Sequence, residues 1–309
     1  MISIGTDCSG IESPIECLKQ LKISFKHMFS CEKDTYAKKM ILYNYHPELF
    51  FDDMTIRDHS KLPKVDIYVC GFSCQPFSNL GLKKGSKDIR SNLMTECANT
   101  IKSLFPPIFI LENVKNFMNI EKGENYKWLI ETLTSIKKGN TEYSVYIDVL
   151  NTKNYGIPQN RERMFIIGIR NDCKIKEYVT PKHKKCKQLD TFLTDLSVHN
   201  VNPNKNVLRV INRIKPEHIN KNCIVCSAGF GNYMVDMIST ITTGTYYYST
   251  KYKRYLSSQE LLNLQGFKYL NSCVSNTRLR KMAGNTISVC VLKEIIREIL
   301  KCVQLKNEK

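Results

Sequence analysis

Cys74 stands in the middle of Gly71-Phe72-Ser73-Cys74-Gln75-Pro76-Phe77-Ser78, directly after the apolar run Val65–Cys70. A cysteine at the carboxyl end of a buried strand, followed by a polar loop carrying glycines and lysines through Asp88, lies near positive charge that favours its thiolate. The run Ile108–Leu111 then delivers Glu112-Asn113-Val114 to the same edge of a parallel sheet. Cysteine beside a carboxyl group, without a well-placed histidine, is not a protease arrangement. It suits attack on an electron-poor ring, with the carboxylic acid protonating that ring. Gln159-Asn160-Arg161-Glu162-Arg163 leads into the run Met164–Ile169. Arginines at alternating positions entering a strand point the same way, and one can donate to a carbonyl oxygen of a base or to a phosphate. Each feature has a plainer reading too, since lone cysteines are mostly structural and paired arginines mostly salt-bridged surface groups.

A second group of residues suits a nucleotide-like ligand. Thr6-Asp7-Cys8-Ser9-Gly10-Ile11-Glu12 joins a strand to a helix, where backbone N–H groups and a glycine permit close approach. Glu32 follows the next apolar run, where a dinucleotide-type site places a carboxylate for ribose hydroxyls. Ala283-Gly284-Asn285-Thr286 is expected to open the last helix, as a cap or as a further contact. Cys223-Ile224-Val225-Cys226 has zinc-like spacing but lacks a clear second pair.

These residues need a frame. Ile2–Ile4, Phe25–Phe29, Val65–Cys70, Ile108–Leu111, Val145–Leu150 and Met164–Ile169 read as strands, several of them continuously apolar as in a sheet covered on both faces. Ile15–Leu21, Tyr36–Tyr45, Leu93–Leu104 and Tyr126–Ser135 between them have helical spacing. The alternation predicts a doubly wound, mostly parallel α/β sheet with ligands at the carboxyl ends of its strands. From about Asp172 the character changes: between Lys174 and Lys221 there are eleven Lys/Arg against four Asp/Glu. That stretch is either a solvated surface or a small second domain facing a polyanion.

Composition agrees. The 309 residues carry 46 Lys+Arg against 29 Asp+Glu, a formal net charge of +17 that would attract nucleic acid. Thirteen cysteines are an odd number, too sparse for a secreted disulfide scaffold, and most sit in apolar runs, so a reducing, intracellular compartment is expected. No apolar run reaches membrane-spanning length and no secretory signal is visible, which predicts a soluble protein without a membrane partner.

Taken in order, the motifs resemble those of the C5-cytosine DNA methyltransferases that use S-adenosylmethionine, and the resemblance covers almost the whole chain. The turn Asp7, Cys8, Ser9, Gly10 and Ile11 is similar to the family's first cofactor motif. Glu32 resembles its ribose-binding acid, with Lys33 beside it, and Asp53, followed by Met54, the acid beside the adenine. Gly71–Ser78 looks like the nucleophile segment, with Gly71 and Phe72 bordering the cofactor pocket and Leu93 in the helix that follows. Glu112-Asn113-Val114 matches the Glu-Asn-Val motif, Gln159–Arg163 the Gln-x-Arg-x-Arg motif, and Gly284-Asn285, with Thr286, the last motif of the pocket. The sequence departs from the family pattern at Ser73, Cys8, Glu12-Ser13 and Lys33.

The resemblance implies a Rossmann-like catalytic domain over 1–177, completed by 281–309, and a target-recognition domain over 178–280. It implies that Cys74 adds to C6 of a flipped cytosine and that Glu112 protonates or hydrogen-bonds N3. Arg163 and Arg161 would hold the base or a phosphate, and Asn113 would orient the exocyclic amine or support the loop. The loop Asn79–Asp88 would close over the base, with Lys83, Lys84 and Lys87 on phosphates. The expected partner is double-stranded DNA, met by a monomer and without a metal. The competing readings are a tRNA cytosine-5 methyltransferase and a catalytically silent DNA-binding homologue.

Overall fold

The structure, a computed structural model, describes residues 1–72, 91–194, 201–227, 232–268 and 270–305. Its elements run β1 (Ile2–Asp7), α1 (Ser13–Leu21), β2 (Phe25–Cys31), α2 (Thr35–Asn44), β3 (Leu49–Phe51), β4 (Ile67–Cys70), α3 (Ser91–Leu104), β5 (Ile108–Val114) and α4 (Glu124–Ser135). After them come β6 (Lys137–Lys138), β7 (Thr141–Asn151), β8 (Gln159–Asn160) and β9 (Glu162–Arg170). The chain continues with α5 (Lys205–Ile211), β10 (Cys223–Cys226), β11 (Tyr233–Val235), β12 (Ile238–Ser239), β13 (Tyr247–Ser249), β14 (Arg254–Tyr255), α6 (Ser258–Gln265), α7 (Asn276–Asn285) and α8 (Val289–Leu300).

Contacts divide the chain into two compact units. The first comprises Met1–Leu150, Arg163–Pro181 and Leu292–Lys309; the second comprises Asn151–Glu162 and Lys182–Val291. The first holds a sheet of order β3-β2-β1-β4-β5-β9-β7-β6. From β3 to β5 every pairing is parallel, and β9 then joins β5 antiparallel. All four residues of β4 are buried, as are the first six of β5, which is the pattern of central strands covered on both faces. Gly5 lets the Phe29 ring lie on β1, because a Cβ there would come within 2.1 Å of it. α2 is capped by Asp34, whose carboxylate accepts from the Tyr36 and Ala37 N–H groups.

The parallel alternation puts the ends of β1, β2, β3, β4 and β5 on one edge. Asp7, Glu32, Asp53, Gly71 and Glu112 all lie at or just beyond those ends. β5 is longer than its apolar run suggests: Glu112, Asn113 and Val114 are still in the strand, held by pairing with Phe165, Met164 and Arg163 of β9. Among the described residues, no helix is long and apolar enough to cross a membrane.

The second unit carries a sheet of order β11-β10-β13-β14 and a small β12-β8 pair. Val207, Val210, Val225 and Tyr248 form a core of its own. It takes in 151–162 and 281–291 in addition to most of 178–280, because Gln159 and Arg161 bond into it. Ala283-Gly284-Asn285 does not open the last helix. It closes α7, whose apolar stripe Leu279, Met282 and Ala283 is buried, and Thr286 follows in extended conformation.

Candidate active site

The turn after β1 alternates in handedness. Cys8, Gly10 and Glu12 have positive φ of 48°, 56° and 62°, so the backbone doubles back before α1 starts at Ser13 with Pro14 in its first turn. Left-handed non-glycine residues cost conformational energy and gather at functional sites. The turn is pinned from two sides. Ser9 N–H donates to the Cys31 carbonyl at 3.2 Å, and Gly10 N–H donates to Glu32 Oε2 at 2.8 Å. Glu32 Oε1 accepts from the Asp34 N–H at 2.9 Å, and Glu32 N–H donates to the Phe51 carbonyl at 3.1 Å. Burial pushes the Glu32 carboxyl up, against the pull of these backbone donors.

Beside it, Lys33 Nζ lies 2.7 Å from Asp53 Oδ2, and Thr55 donates to the other oxygen from N–H and hydroxyl. Burial opposes ionisation of Asp53, but Lys33 and Thr55 outweigh it and hold the carboxyl below its ordinary value. Cys8 Sγ is 3.7 Å from Met54 Sδ. Met54, Phe72 and the half-buried Leu93 belong to the same apolar cluster.

Three residues of the expected cofactor set point elsewhere. The Asp7 carboxylate is buried and held by the Arg57 guanidinium on both oxygens, with Tyr68 donating to one of them at 2.7 Å. The Ser9 hydroxyl bonds to the Thr6 hydroxyl and the Cys31 carbonyl, and Ile11 is fully buried in the core. Their side chains build the turn. Glu12 is also fully buried: its Oε1 accepts from Thr6 Oγ1 at 2.7 Å and Ser30 Oγ at 2.6 Å, with His27 Nε2 3.6 Å away.

On β5, Glu112 Oε1 lies 3.2 Å from Arg163 Nε. Both side chains are largely but incompletely buried, at 10% and 15% exposure, so the pair is open on one side. Asn113 donates from Nδ2 to the Phe72 carbonyl at 3.2 Å while its Oδ1 accepts from the Val114 N–H. Phe72 is in turn fixed edge-on against Phe117. Cys74, with the rest of 73–90 and its lysines, lies outside the described residues. Among the other cysteines, Cys8 and Cys70 are pushed up, the first chiefly by its bond to Cys70 and the second by burial, so both are neutral thiols.

The two arginines of the Gln-x-Arg-x-Arg segment do different work. Arg163 pairs with Glu112, whereas Arg161 is buried and donates to the Ile241 carbonyl at 3.1 Å and the Thr286 carbonyl at 2.8 Å. Arg161 precedes β9, so the alternation expected for two strand residues does not apply to it. Arg161, Asn285 and Thr286 belong to the second unit, Asn285 exposed and Thr286 buried. Cys223 and Cys226 lie on β10, and among the described residues no group of three metal-ligating side chains forms. Sequence reasoning missed Arg57 and Tyr68, whose distance along the chain from Asp7 leaves no local signal. It noted Glu12 only as a replacement, although Thr6 and Ser9 nearby offered it hydroxyl partners.

A family model described as C-5 cytosine-specific DNA methylase matches residues 2–301. The Type II methyltransferase M.NgoBI of Neisseria gonorrhoeae is 30% identical over 294 residues, covering 88% of this chain and 85% of that protein. The Type II methyltransferase M.HaeII of Haemophilus aegyptius is 30% identical over 311 residues, covering 92% and 89%. The fold is similar to that of the Dnmt2 methyltransferase of S. pombe, with a TM-score of 0.69 at 17% identity over 97% of this chain and 99% of that one.

Proposed function

The chain belongs to the C-5 cytosine-specific DNA methylases, and from that premise we propose how its own residues carry out the transfer of a methyl group from S-adenosylmethionine to C5 of cytosine in DNA. The donor set fits the cofactor. The Glu32 carboxylate accepts backbone N–H groups, from Gly10 and Asp34 among them, and is placed to accept a ribose hydroxyl as well. Asp53 offers an ionised acceptor beside it, suited to an exocyclic amine, and the partly exposed Cys8 supplies apolar surface backed by the buried cluster of Met54 and Phe72. Asp7 is left out of this set, since Arg57 and Tyr68 take up its carboxylate.

S-adenosylmethionine supplies an electrophilic methyl group on a sulfonium. C5 of cytosine is a poor nucleophile, and the chain must raise its electron density. In our reading the Cys74 thiolate adds to C6 while Glu112 delivers a proton or a strong hydrogen bond to N3, leaving an enamine with a nucleophilic C5. Arg163 orients the Glu112 carboxyl and places its positive charge beside the base oxygen. Asn113 holds the Phe72 carbonyl and so the start of the segment that carries Cys74. After transfer, loss of the C5 proton to water or hydroxide expels Cys74 and restores the thiolate. Arg161 takes no part in these steps.

A duplex base is shielded by stacking, so the cytosine rotates out at a cost of a few kcal/mol. The net charge of +17 supplies phosphate affinity without sequence information, and the second unit, with the basic stretch at 182–221, is where we place the reading of the target. We take the working unit to be a monomer on double-stranded DNA, with modification of the Type II kind. The observation that carries this reading is the Glu112–Arg163 pair on the strand edge that also holds Glu32 and Asp53. The test offers methyl-labelled S-adenosylmethionine with double-stranded DNA and tRNA in parallel and maps 5-methylcytosine. Label in DNA alone is expected. Label in tRNA alone would move the substrate to RNA, and label in neither would leave a silent DNA binder.

A further inference from the structure

Glu12 occupies a place where a charged side chain is costly. It is fully buried, its backbone is left-handed at φ 62°, and it sits at the hinge between the cofactor turn and α1. Its side chain is the node of a buried polar cluster. Oε1 accepts from Thr6 on β1 and Ser30 on β2, Thr6 also meets Ser9 at 2.8 Å, and Ser30 meets His27 Nε2 at 3.0 Å. Ser9 is the residue whose N–H and hydroxyl tie the turn to the Cys31 carbonyl, and Gly10 next to it is bound by Glu32. One carboxyl therefore links both strands that flank the turn and, through Thr6 and Ser9, the turn itself.

We propose that Glu12 is a positioning residue for the cofactor: its side chain fixes the hydroxyls that hold residues Cys8–Ile11 in place, and so it sets the affinity for S-adenosylmethionine. This rests on the reading of the turn and Glu32 as the cofactor site. Glycine would relieve the backbone but strand Thr6, Ser9, Ser30 and His27 around a polar cavity, whereas glutamine retains an acceptor oxygen of the same reach.

The node is sensitive to protons. Burial pushes the Glu12 carboxyl up to about 7, against hydrogen bonds from Ser30, Thr6 and Ser9, and the Glu32 carboxylate adds to the rise. The titratable groups around it are His27 on β2, pushed down to about 4 by burial and therefore neutral near pH 7, with Glu32 after β2, Glu16 and Lys19 on α1, and Tyr45 after α2. Ionisation of Glu12 above pH 7 places a second negative charge behind the turn and beside Glu32. Cofactor affinity is expected to fall as pH rises through this range.

The experiment measures S-adenosylmethionine binding by calorimetry from pH 6 to 8.5 on the full chain and on Glu12→Gln, Glu12→Gly and Glu32→Ala, with thermal melting of each. Glu12→Gly is expected to stay folded and to bind about tenfold more weakly, the scale of a lost buried hydrogen-bond node. Glu12→Gln is expected to bind as the parent does at pH 6 and to lose the decline above pH 7 that the parent shows. Parent-like affinity in Glu12→Gly, or an unchanged decline in Glu12→Gln, overturns the proposal. Glu32→Ala separates the two levels: if it binds as tightly as the parent, the cofactor-site reading fails; if it weakens binding while the Glu12 variants do not, only the positioning role fails.

Discussion

Arg163 reaches diagonally across two strands to Glu112, with Nε 3.2 Å from Oε1. The register explains why. Val114 pairs with Arg163 and Glu112 with Phe165, so Glu112 and Arg163 stand one diagonal step apart on the same face of the β5–β9 pair, a spacing that long side chains bridge. The antiparallel strand that breaks the parallel pattern is therefore the one that brings a guanidinium to the acid.

Removing that guanidinium leaves a mostly buried carboxylate without its partner. Arg163→Ala is expected to slow methyl transfer about a hundredfold in single turnover. Arg163→Lys is expected to recover only part of it, since an ammonium lacks the planar fork. Rapid-quench assays with labelled cofactor measure both, and full activity in Arg163→Ala would remove it from the chemistry.

Glu112→Gln keeps the shape and loses the acid. The expected drop in the chemical step is about 10²- to 10⁴-fold, with cofactor affinity unchanged. Cys74→Ala is expected to abolish transfer altogether while DNA binding persists in gel-shift assays. A Glu112→Gln enzyme with the parent single-turnover rate would contradict the proton-donor role.

Asn113 acts at one remove. Its amide holds the Phe72 carbonyl at 3.2 Å, two residues before Cys74. Asn113→Asp replaces a donor by an acceptor at that carbonyl. It is expected to lower kcat about tenfold while shifting the melting temperature by only a few degrees. Equal losses of kcat and stability would mark it as a packing residue only.

The main sheet is legible because continuous apolar runs alternating with helical stretches admit few other folds, and the carboxyl-end placement of Glu32, Asp53 and Glu112 follows from it. What was not legible depended on long-range partners. Asp7 looks like a ligand acid until Arg57 and Tyr68 arrive from 50 and 61 residues away. Arg161 and Arg163 look equivalent in sequence, but β9 starts between them, so one pairs with Glu112 and the other bonds to carbonyls at Ile241 and Thr286. Gly284-Asn285 ends a helix whose stripe is short and interrupted by arginines, too weak a period to separate from α8. The two- and three-residue strands of the second unit have no periodicity to show.

Arg161 tests the division of labour. Its guanidinium donates to two buried carbonyls, so Arg161→Met leaves both without that donor and is expected to destabilise the protein by about 3 kcal/mol in urea unfolding. Arg163→Ala is expected to cost much less stability and much more rate. If Arg161→Met lost activity with parent stability, Arg161 would return to the catalytic set.

Glu12 and His27 make opposing demands on the pH profile of stability. The Glu12 carboxyl rises from 4.5 to about 7 on folding, so the native state binds more protons than the unfolded state in that window. Its stabilising contribution is complete below about pH 4.5 and is lost as pH climbs to 7, in all about 3 kcal/mol. The His27 imidazole drops from 6.5 to about 4, so there the unfolded state binds more protons, and stability is lost as pH falls through that range by a similar amount. Together they nearly cancel between pH 4.5 and 6.5. Glu12→Gln should unmask His27, with stability falling toward acid and exceeding the parent above pH 7. His27→Gln should unmask Glu12, with stability rising toward acid. Thermal unfolding from pH 4 to 8 on the three proteins measures the difference profiles, and parallel profiles in all three would mean that neither group changes its proton affinity on folding.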